Sequence, residues 1–426
     1  MSSGHEGQSA TPSRRHVLGA AVGAAAAVAV AGTGGYVAGG ASSSSETGER
    51  QTTGRVPFYD PTHQAGIATP AQDRLAFAAF DLTGFDRGAV MAMLGAWSAA
   101  SARMTAGLPI GPTETLPQSP PIDTGEALGL PPANLTVTVG FGASMFDDRF
   151  GLADRMPAGL RPIGELPGDA FDPRRTGGDL CVQACSDDPQ VAFHVIRNLA
   201  RIGRGTCVMR WSQLGFGRTS STSQAQKTPR NLMGFKDGTR NIKDEQAEDL
   251  EHFVWVGEET DQPWMVGGSY LVARRIQMLI EAWDADYIAD QEQIFGRYKN
   301  SGAPLTGHHE FDPPRFDAVH HDGSPVIATD AHIRLAAPEH NGGEKLLRRG
   351  YSYTDGTDPV TGALDAGLFF IAFQQDPHRQ FARIQRRLGL RDLLNEYIVH
   401  RGGGEFAVPP GISGPGDWFG RALFTK

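Results

Sequence analysis

Cysteine is scarce in this sequence, since only three of its 426 residues are cysteines: Cys181, Cys185 and Cys207. So small and odd a number implies no disulfide framework. If the stretch from Leu180 to Cys185 is a strand, Cys181 and Cys185 share a face about 13 Å apart, too far for a disulfide bond. We therefore expect buried thiols and exclude the class of small disulfide-stapled proteins.

Basic residues are in deficit as well. Lys and Arg number 39 against 48 Asp and Glu, which gives a formal net charge of -9. Lys and Arg form only short pairs such as Arg348-Arg349. Proteins that bind nucleic acid usually carry a basic patch or run, so we exclude nucleic acid as a partner.

Long hydrophobic runs are missing beyond the N-terminus, where no stretch reaches the ~20 apolar residues of a spanning helix. The N-terminal segment has Arg14 and Arg15 directly before a run of mostly Ala, Gly and Val that ends near Gly32. This pattern resembles a twin-arginine export signal. A weak membrane anchor and a disordered Ala-rich tail are the alternatives.

The export interpretation has two consequences. It predicts a location in the periplasm, the cell envelope or outside the cell, with the twin-arginine translocase as a partner during export. The twin-arginine route carries proteins that have already folded, often around a cofactor. The signal therefore favours a bound redox group.

The length predicts two domains, because a single core rarely extends over 426 residues. We assign residues 1–50 to the signal peptide and linker, 51–222 to an N-terminal domain and 223–426 to a C-terminal domain. The boundary lies in a Ser/Thr/Gln-rich stretch. Strand and helix patterns alternate in both halves, which predicts an α+β fold with a sheet and helices in each domain.

Individual elements can be predicted from periodicity and from helix start signals. Leu75–Leu82 is predicted to be a strand, and the apolar run Gly367–Phe373 a buried one. Asp188-Pro189 is a typical helix start, and we expect Asp376-Pro377 to open a helix in the same way.

Three segments carry candidate chemistry. They read Gly234-Phe235-Lys236-Asp237-Gly238-Thr239-Arg240-Asn241, Asp330-Ala331-His332-Ile333-Arg334-Leu335 and Leu346-Leu347-Arg348-Arg349-Gly350-Tyr351. An Asp between glycines is usually a turn, although glycines also let the backbone approach a flat ligand. A lone His is more often structural than a metal ligand, but neutral imidazole suits haem iron. The Arg pair is either a surface pair or a source of one cavity cation.

The segment around Asp237 resembles the GxxDG motif of dye-decolorizing peroxidases. Further segments resemble the twin-arginine-exported subgroup of that family, which includes the deferrochelatase/peroxidase of iron-uptake operons. These segments are His63–Pro70, Leu135–Phe141, His332–Leu335, Leu347–Tyr353 and Asp417–Gly420. The resemblance runs in order from about residue 56 to the C-terminus.

The resemblance implies a fold of two ferredoxin-like domains and one haem b per chain, held mainly by the C-terminal domain. It implies that His332 is the iron ligand and Asp237 the distal acid and base. Arg348 takes the role of the distal arginine, although neighbouring Arg349 leaves the register open by one residue.

Three further roles follow from the same resemblance. Asn241 and Arg334 are similar to residues of the haem pocket, at the propionates. Asp365 is similar to a carboxylate that accepts a hydrogen bond from the proximal imidazole, which would fix its tautomer.

The implied reaction is the reduction of hydrogen peroxide with oxidation of an organic donor such as a dye. Deferrochelation, with haem itself as the substrate, uses the same pocket and stays open. A non-catalytic haem carrier and a non-haem metal protein using His308-His309 and His320-His321 are further alternatives. The sequence also leaves open a homo-oligomer and iron-uptake partner proteins.

Overall fold

The first half of the chain follows the order βαββαβ. Its elements are β1 Arg74–Leu82, α1 Arg87–Thr105, β2 Thr136–Gly142, β3 Leu180–Ser186, α2 Pro189–Ile202 and β4 Cys207–Arg218. The strands pair antiparallel in the order β2-β3-β1-β4. This is the ferredoxin-like arrangement.

The second half repeats the arrangement with longer insertions. Its elements are α3 Ala247–Phe253, β5 Ser269–Met278, α4 Ile280–Asp284, α5 Ile288–Phe295, α6 His332–Ala336, β6 Leu347–Arg348, β7 Tyr351–Thr357, β8 Leu364–Gln374, α7 Phe381–Arg391, β9 Ile398–Val408 and α8 Arg421–Phe424. The strands pair antiparallel in the order β9-β5-β8-β7, and β6 also pairs with β8. The expected α+β fold with two ferredoxin-like halves is confirmed.

The two sheets join at both edges. Strand β4 pairs with β7, and β2 pairs with β9, so eight strands close into an antiparallel barrel. Closure leaves these sheets without long open edges. Aromatic side chains that are fully buried fill the barrel interior: Phe77, Tyr351, Tyr353, Phe369, Phe373 and Phe406.

This computed structural model describes residues 54–359 and 361–425. The segment with Arg14 and Arg15 lies outside the described residues. Within them, no helix has both the length and the apolar character that crossing a membrane requires. The three cysteines are buried free thiols, as expected, and burial raises the pKa of Cys207 to about 12.

Two helix starts show when a local sequence signal is sufficient to predict the residue at which a helix begins. Helix α2 begins as predicted, with Asp188 accepting hydrogen bonds from the backbone N–H groups of Gln190 and Val191 and with Pro189 as its first residue. The helix predicted from Asp376-Pro377 begins only at Phe381. Asp376 instead accepts hydrogen bonds from the backbone N–H groups of His378 and Arg379 and forms a turn before the helix.

Strand β9 contains three consecutive glycines, which disfavour a strand by propensity alone. Tertiary contacts explain them. Gly403 has φ 141°, and a Cβ at this position would lie 2.0 Å from the carbonyl oxygen of Ala273 on β5. Only glycine permits this close approach, so the strand could not be predicted from periodicity.

The barrel interior provides a stability test. Phe77 is fully buried, and we expect Phe77→Ala to lower the free energy of unfolding by about 3–5 kcal/mol, because it leaves a cavity. Phe85, which is 77% exposed, serves as a matched control whose change to Ala should cost less than about 0.5 kcal/mol. Denaturant titration measures both, and equal losses would contradict the barrel core described above.

Candidate active site

A cavity of about 240 Å³ opens in the C-terminal half of the molecule, between the outer face of β5 and β8 and the helices α5, α6 and α7. All its lining residues come from positions 231–400. Apolar side chains dominate the lining: Met233, Ile276, Met278, Phe295, Ile333, Leu346, Leu368, Phe370, Phe381, Ile384, Leu388, Leu394 and Ile398. Asp237, His332 and Arg348, which are remote in sequence, all line this one cavity.

Asp237 and Arg348 form an ion pair in the cavity. Arg348 Nη1 donates to Asp237 Oδ1 over 2.7 Å. The second carboxylate oxygen, Oδ2, faces the amide of Asn231 at 3.4 Å, a much weaker contact. The carboxylate is therefore held firmly on one oxygen and only weakly on the other.

The glycines around Asp237 have a structural reason. Gly234 and Gly238 have φ of 83° and 84°, in the left-handed region that favours glycine. A Cβ on Gly238 would lie 3.0 Å from the Cα of Ser220, in the connection between the halves. The Asp237 backbone N–H donates to the Pro229 carbonyl over 3.0 Å, which closes the loop and fixes the aspartate.

His332 is the first residue of the short helix α6 and is oriented by a carboxylate. Its Nδ1 lies 2.6 Å from Asp392 Oδ2. Asp392 is 6% exposed, and its other oxygen accepts a hydrogen bond from the Leu394 N–H. Because an ionised carboxylate only accepts, Nδ1 carries the proton, and Nε2 keeps its lone pair for a ligand.

Electrostatics at His332 act in two directions. Burial lowers the pKa of the imidazole, but the charge and hydrogen bond of Asp392 more than offset this effect, so the pKa is raised overall. A metal ion that binds Nε2 must therefore compete with a proton.

Asp392 corrects one expectation. We expected Asp365 to accept the imidazole hydrogen bond, and this is wrong. Asp365 Oδ1 instead accepts from Arg275 Nη2 over 2.8 Å. Arg275 is 5% exposed and needs nearby negative charge, which Asp365 and Asp355 supply.

Asn241 and Arg334 also lie elsewhere than expected, because neither is among the cavity-lining residues. Arg334 follows His332 by two residues on α6 and so points to another face of the helix. Its Nη1 donates to the Ile327 carbonyl over 2.8 Å. The amide of Asn241 is turned towards the backbone of Arg348.

The open register at the arginine pair is resolved by geometry. Arg348 points into the cavity, whereas Arg349 is fully buried on the other side of the strand. The Arg349 guanidinium donates to the Thr69 carbonyl and to the side chain of Gln72, which fastens the N-terminal half. Successive residues of a strand alternate in direction, so only one of the pair can reach the site.

Basic residues outnumber acidic ones among the residues that line the cavity, although the chain as a whole is acidic. Six permanent or near-permanent cations line the cavity: Lys236, Arg240, Arg274, Arg297, Lys345 and Arg348. The lining carboxylates are three: Asp237, Glu344 and Asp392. Five of the six cations pair with carboxylates, which belong to Glu310, Glu339, Glu405, Asp249 and Asp237. The apolar walls, with N–H donors among them, suit a flat apolar ligand that carries polar groups.

The histidine pairs are not among the residues that line the cavity. His308, His309, His320 and His321 are exposed. Among the described residues, no group of three or more His, Cys, Asp and Glu side chains is arranged to hold a metal ion.

The cavity brings together an imidazole, a carboxylate and a guanidinium, a set of groups typical of a cofactor-dependent enzyme. Comparison with known families agrees. A family model described as Dyp-type peroxidase, N-terminal, matches residues 64–217, and one described as Dyp-type peroxidase, C-terminal, matches residues 228–413. The chain belongs to the Dyp-type peroxidase family and is an enzyme.

Individual relatives are similar over most of their length. A deferrochelatase from Escherichia coli (strain K12) is 38% identical over 374 residues, which span 87% of this chain and 87% of the relative. Ferric DtpA from Streptomyces lividans is 39% identical with a TM-score of 0.79, covering 87% of this chain and 98% of that chain. A DyP-type peroxidase from Streptomyces coelicolor is 39% identical with a TM-score of 0.80, covering 87% and 97%.

A pH test follows from His400, which lines the cavity and is 3% exposed. Burial, assisted by Arg274, lowers its pKa from 6.5 to about 4. Unfolding therefore takes up a proton between these values, and stability falls as the pH is lowered through this range. The loss amounts to about 2 kcal/mol near pH 5.

We expect His400→Gln, which cannot titrate, to lack this part of the acid destabilisation. Denaturant titrations at pH 7 and about pH 5 measure the difference. His320→Gln, a change at an exposed histidine, is the control and should follow the wild type. An equal loss of stability in the wild type and in His400→Gln would show that His400 does not titrate as a buried group.

Proposed function

We propose that this enzyme reduces hydrogen peroxide in the cavity of its C-terminal half, with haem held by His332 and with Asp237 and Arg348 as the catalytic residues. The observation that carries the proposal is the convergence of these three side chains on one cavity. An organic electron donor completes the reaction. Peroxide takes up two electrons and two protons and leaves as two water molecules.

The residues of the cavity fit haem. Nε2 of His332 is the available ligand for iron, since Asp392 occupies Nδ1. The apolar walls would suit the macrocycle, and N–H groups of the lining cations would be donors to its two carboxylates. Arg240 and Lys345 are lining cations whose side chains are 41% and 36% exposed, and they would be available to these carboxylates. When bound, the haem iron supplies the redox chemistry that no side chain of the protein provides.

Asp237 moves the proton of peroxide from one oxygen to the other. Oδ1 is engaged by Arg348, so Oδ2 is the atom that takes the proton and returns it. The same carboxylate thus acts first as a general base and then as a general acid. Asn231, the weak partner of Oδ2, keeps the carboxylate plane in place without competing strongly for its lone pairs.

Arg348 stabilises the negative charge that develops as the O–O bond breaks. A guanidinium has five N–H donors, and the contact with Asp237 Oδ1 uses one of them. The ion pair also keeps Asp237 and Arg348 at a fixed separation before peroxide enters.

The same proposal includes export and partners. The Arg14-Arg15 pair ahead of an Ala-rich run supports transport by the twin-arginine translocase to the periplasm, the cell envelope or beyond. A homo-oligomer and a partnership with iron-uptake proteins belong to this proposal as well. The deferrochelatase name of a 38% identical relative supports the partnership with iron-uptake proteins.

Asp237→Asn tests the proposal. Asparagine keeps the shape but cannot take the proton, so we expect the second-order rate constant for the reaction with peroxide to fall by about 10²- to 10⁴-fold. Stopped-flow spectroscopy of the haem-loaded protein measures it. Asp81→Asn is the control, since it removes an ion pair of the same kind with Arg210 on the barrel. Rates unchanged in Asp237→Asn would remove Asp237 from the mechanism.

Deferrochelation is the second candidate, and the E. coli relative favours it. In that reaction two protons replace the iron on an intact macrocycle. Anaerobic incubation of the protein with haem, without peroxide, tests this. Protoporphyrin fluorescence together with an equal amount of chelatable iron would establish it. We expect His332→Ala to abolish any such release, and haem that stays intact with the wild type would exclude this activity.

A further inference from the structure

The amide side chain of Asn241 makes a two-point contact with the backbone of Arg348. Its Oδ1 accepts from the Arg348 N–H over 2.7 Å, and its Nδ2 donates to the Arg348 carbonyl over 2.8 Å. The second Nδ2 proton goes to the Ser221 carbonyl over 3.1 Å. Asn241 is 4% exposed, so these contacts are shielded from water.

The contact completes the short strand β6. On its other side β6 pairs with β8, where the Arg349 N–H donates to the Ile371 carbonyl over 2.8 Å. The backbone groups of Arg348 point the opposite way, as they must in an antiparallel ladder. Asn241 therefore takes the place of a neighbouring strand. Without it, the two polar backbone groups of Arg348 would lose their partner.

Asn241 also belongs to the loop that carries Asp237. Its own backbone N–H donates to the Gly238 carbonyl over 3.0 Å, directly after the aspartate. The loop that presents the carboxylate thus holds the backbone from which the guanidinium extends. Ser221, the third partner, lies in the connection between the halves, where Thr219 N–H donates to the Gly350 carbonyl over 2.9 Å.

From this geometry we infer that Asn241 is a positioning residue for the peroxide reaction. It sets the separation of Asp237 and Arg348 by joining the backbone of the arginine to the loop of the aspartate. It acts through Arg348 and touches neither peroxide nor haem. The inference rests on the proposed function, in which Asp237 and Arg348 are the catalytic pair.

A double-mutant cycle tests the inference. We expect Asn241→Ala to lower the rate constant for the reaction with peroxide by about 10- to 100-fold, because small misplacements of catalytic groups have effects of this size. In an Arg348→Leu background the same change should alter the rate less than about twofold, since the group that it positions is gone. The visible spectrum of the resting haem-loaded protein should stay unchanged. If Asn241→Ala does not fold, Asn241→Ser replaces it in the cycle.

Asn198→Ala is the matched control. Asn198 is fully buried in α2 and donates to Thr124 Oγ1 and to the His194 carbonyl. Its loss should lower stability but not the peroxide rate. A full-size effect of Asn241→Ala in the Arg348→Leu background, or no effect in the wild type, would overturn the inference. A wild type that does not react with peroxide would instead overturn the proposed function, so the two failures are distinguishable.

Discussion

The hydrogen bond between His332 and Asp392 is the constraint on which the rest of the site depends. It commits the imidazole proton to Nδ1 and leaves the Nε2 lone pair available to a ligand. Both residues lie at element ends, His332 at the start of α6 and Asp392 just after α7. The Leu393 N–H donates to the Asp330 carbonyl over 3.3 Å, so the backbone also ties these two ends together. The cavity between α6, α7 and the barrel follows from that junction.

The barrel supplies the second requirement, a rigid support for Asp237 and Arg348. Strands from both halves close the ring, and Arg348 and Arg349 come just before β7, the strand that pairs with β4. Arg348 lines the cavity and pairs with Asp237, whereas Arg349 donates hydrogen bonds to Thr69 and Gln72 of the N-terminal half. The adjacent arginines therefore couple the chemistry to the assembly of the fold. This coupling explains why two charged residues stand side by side next to a buried strand.

The sequence predicted most of the fold and part of the site. Strong local signals, such as Asp188-Pro189 and the apolar run Gly367–Phe373, appear in the structure as α2 and β8. Strand β9 escaped prediction because its glycines are explained only by the close approach of β5. Barrel closure escaped it as well, since the pairing of β4 with β7 joins residues far apart in the chain.

The residues of the site also divide into those that the sequence predicted and those that it did not. Asp237, His332 and Arg348 were predicted from the resemblance, and the structure brings them to one cavity. Asp392 was missed because an aspartate after a helix is an ordinary capping residue, with no local sign of a distant histidine. Asp365 was mistaken for its counterpart because its partner Arg275 lies on a neighbouring strand, 90 positions away. Such pairings depend on tertiary contacts and not on local pattern.

The most direct measurement of the central claim is the iron–imidazole stretching frequency, observed by resonance Raman spectroscopy of the reduced haem-loaded protein. A carboxylate that accepts the Nδ1 proton makes the imidazole a stronger ligand. The account predicts a lower frequency in Asp392→Asn than in the wild type and an unchanged frequency in Asp365→Asn. A shift in Asp365→Asn with none in Asp392→Asn would contradict it.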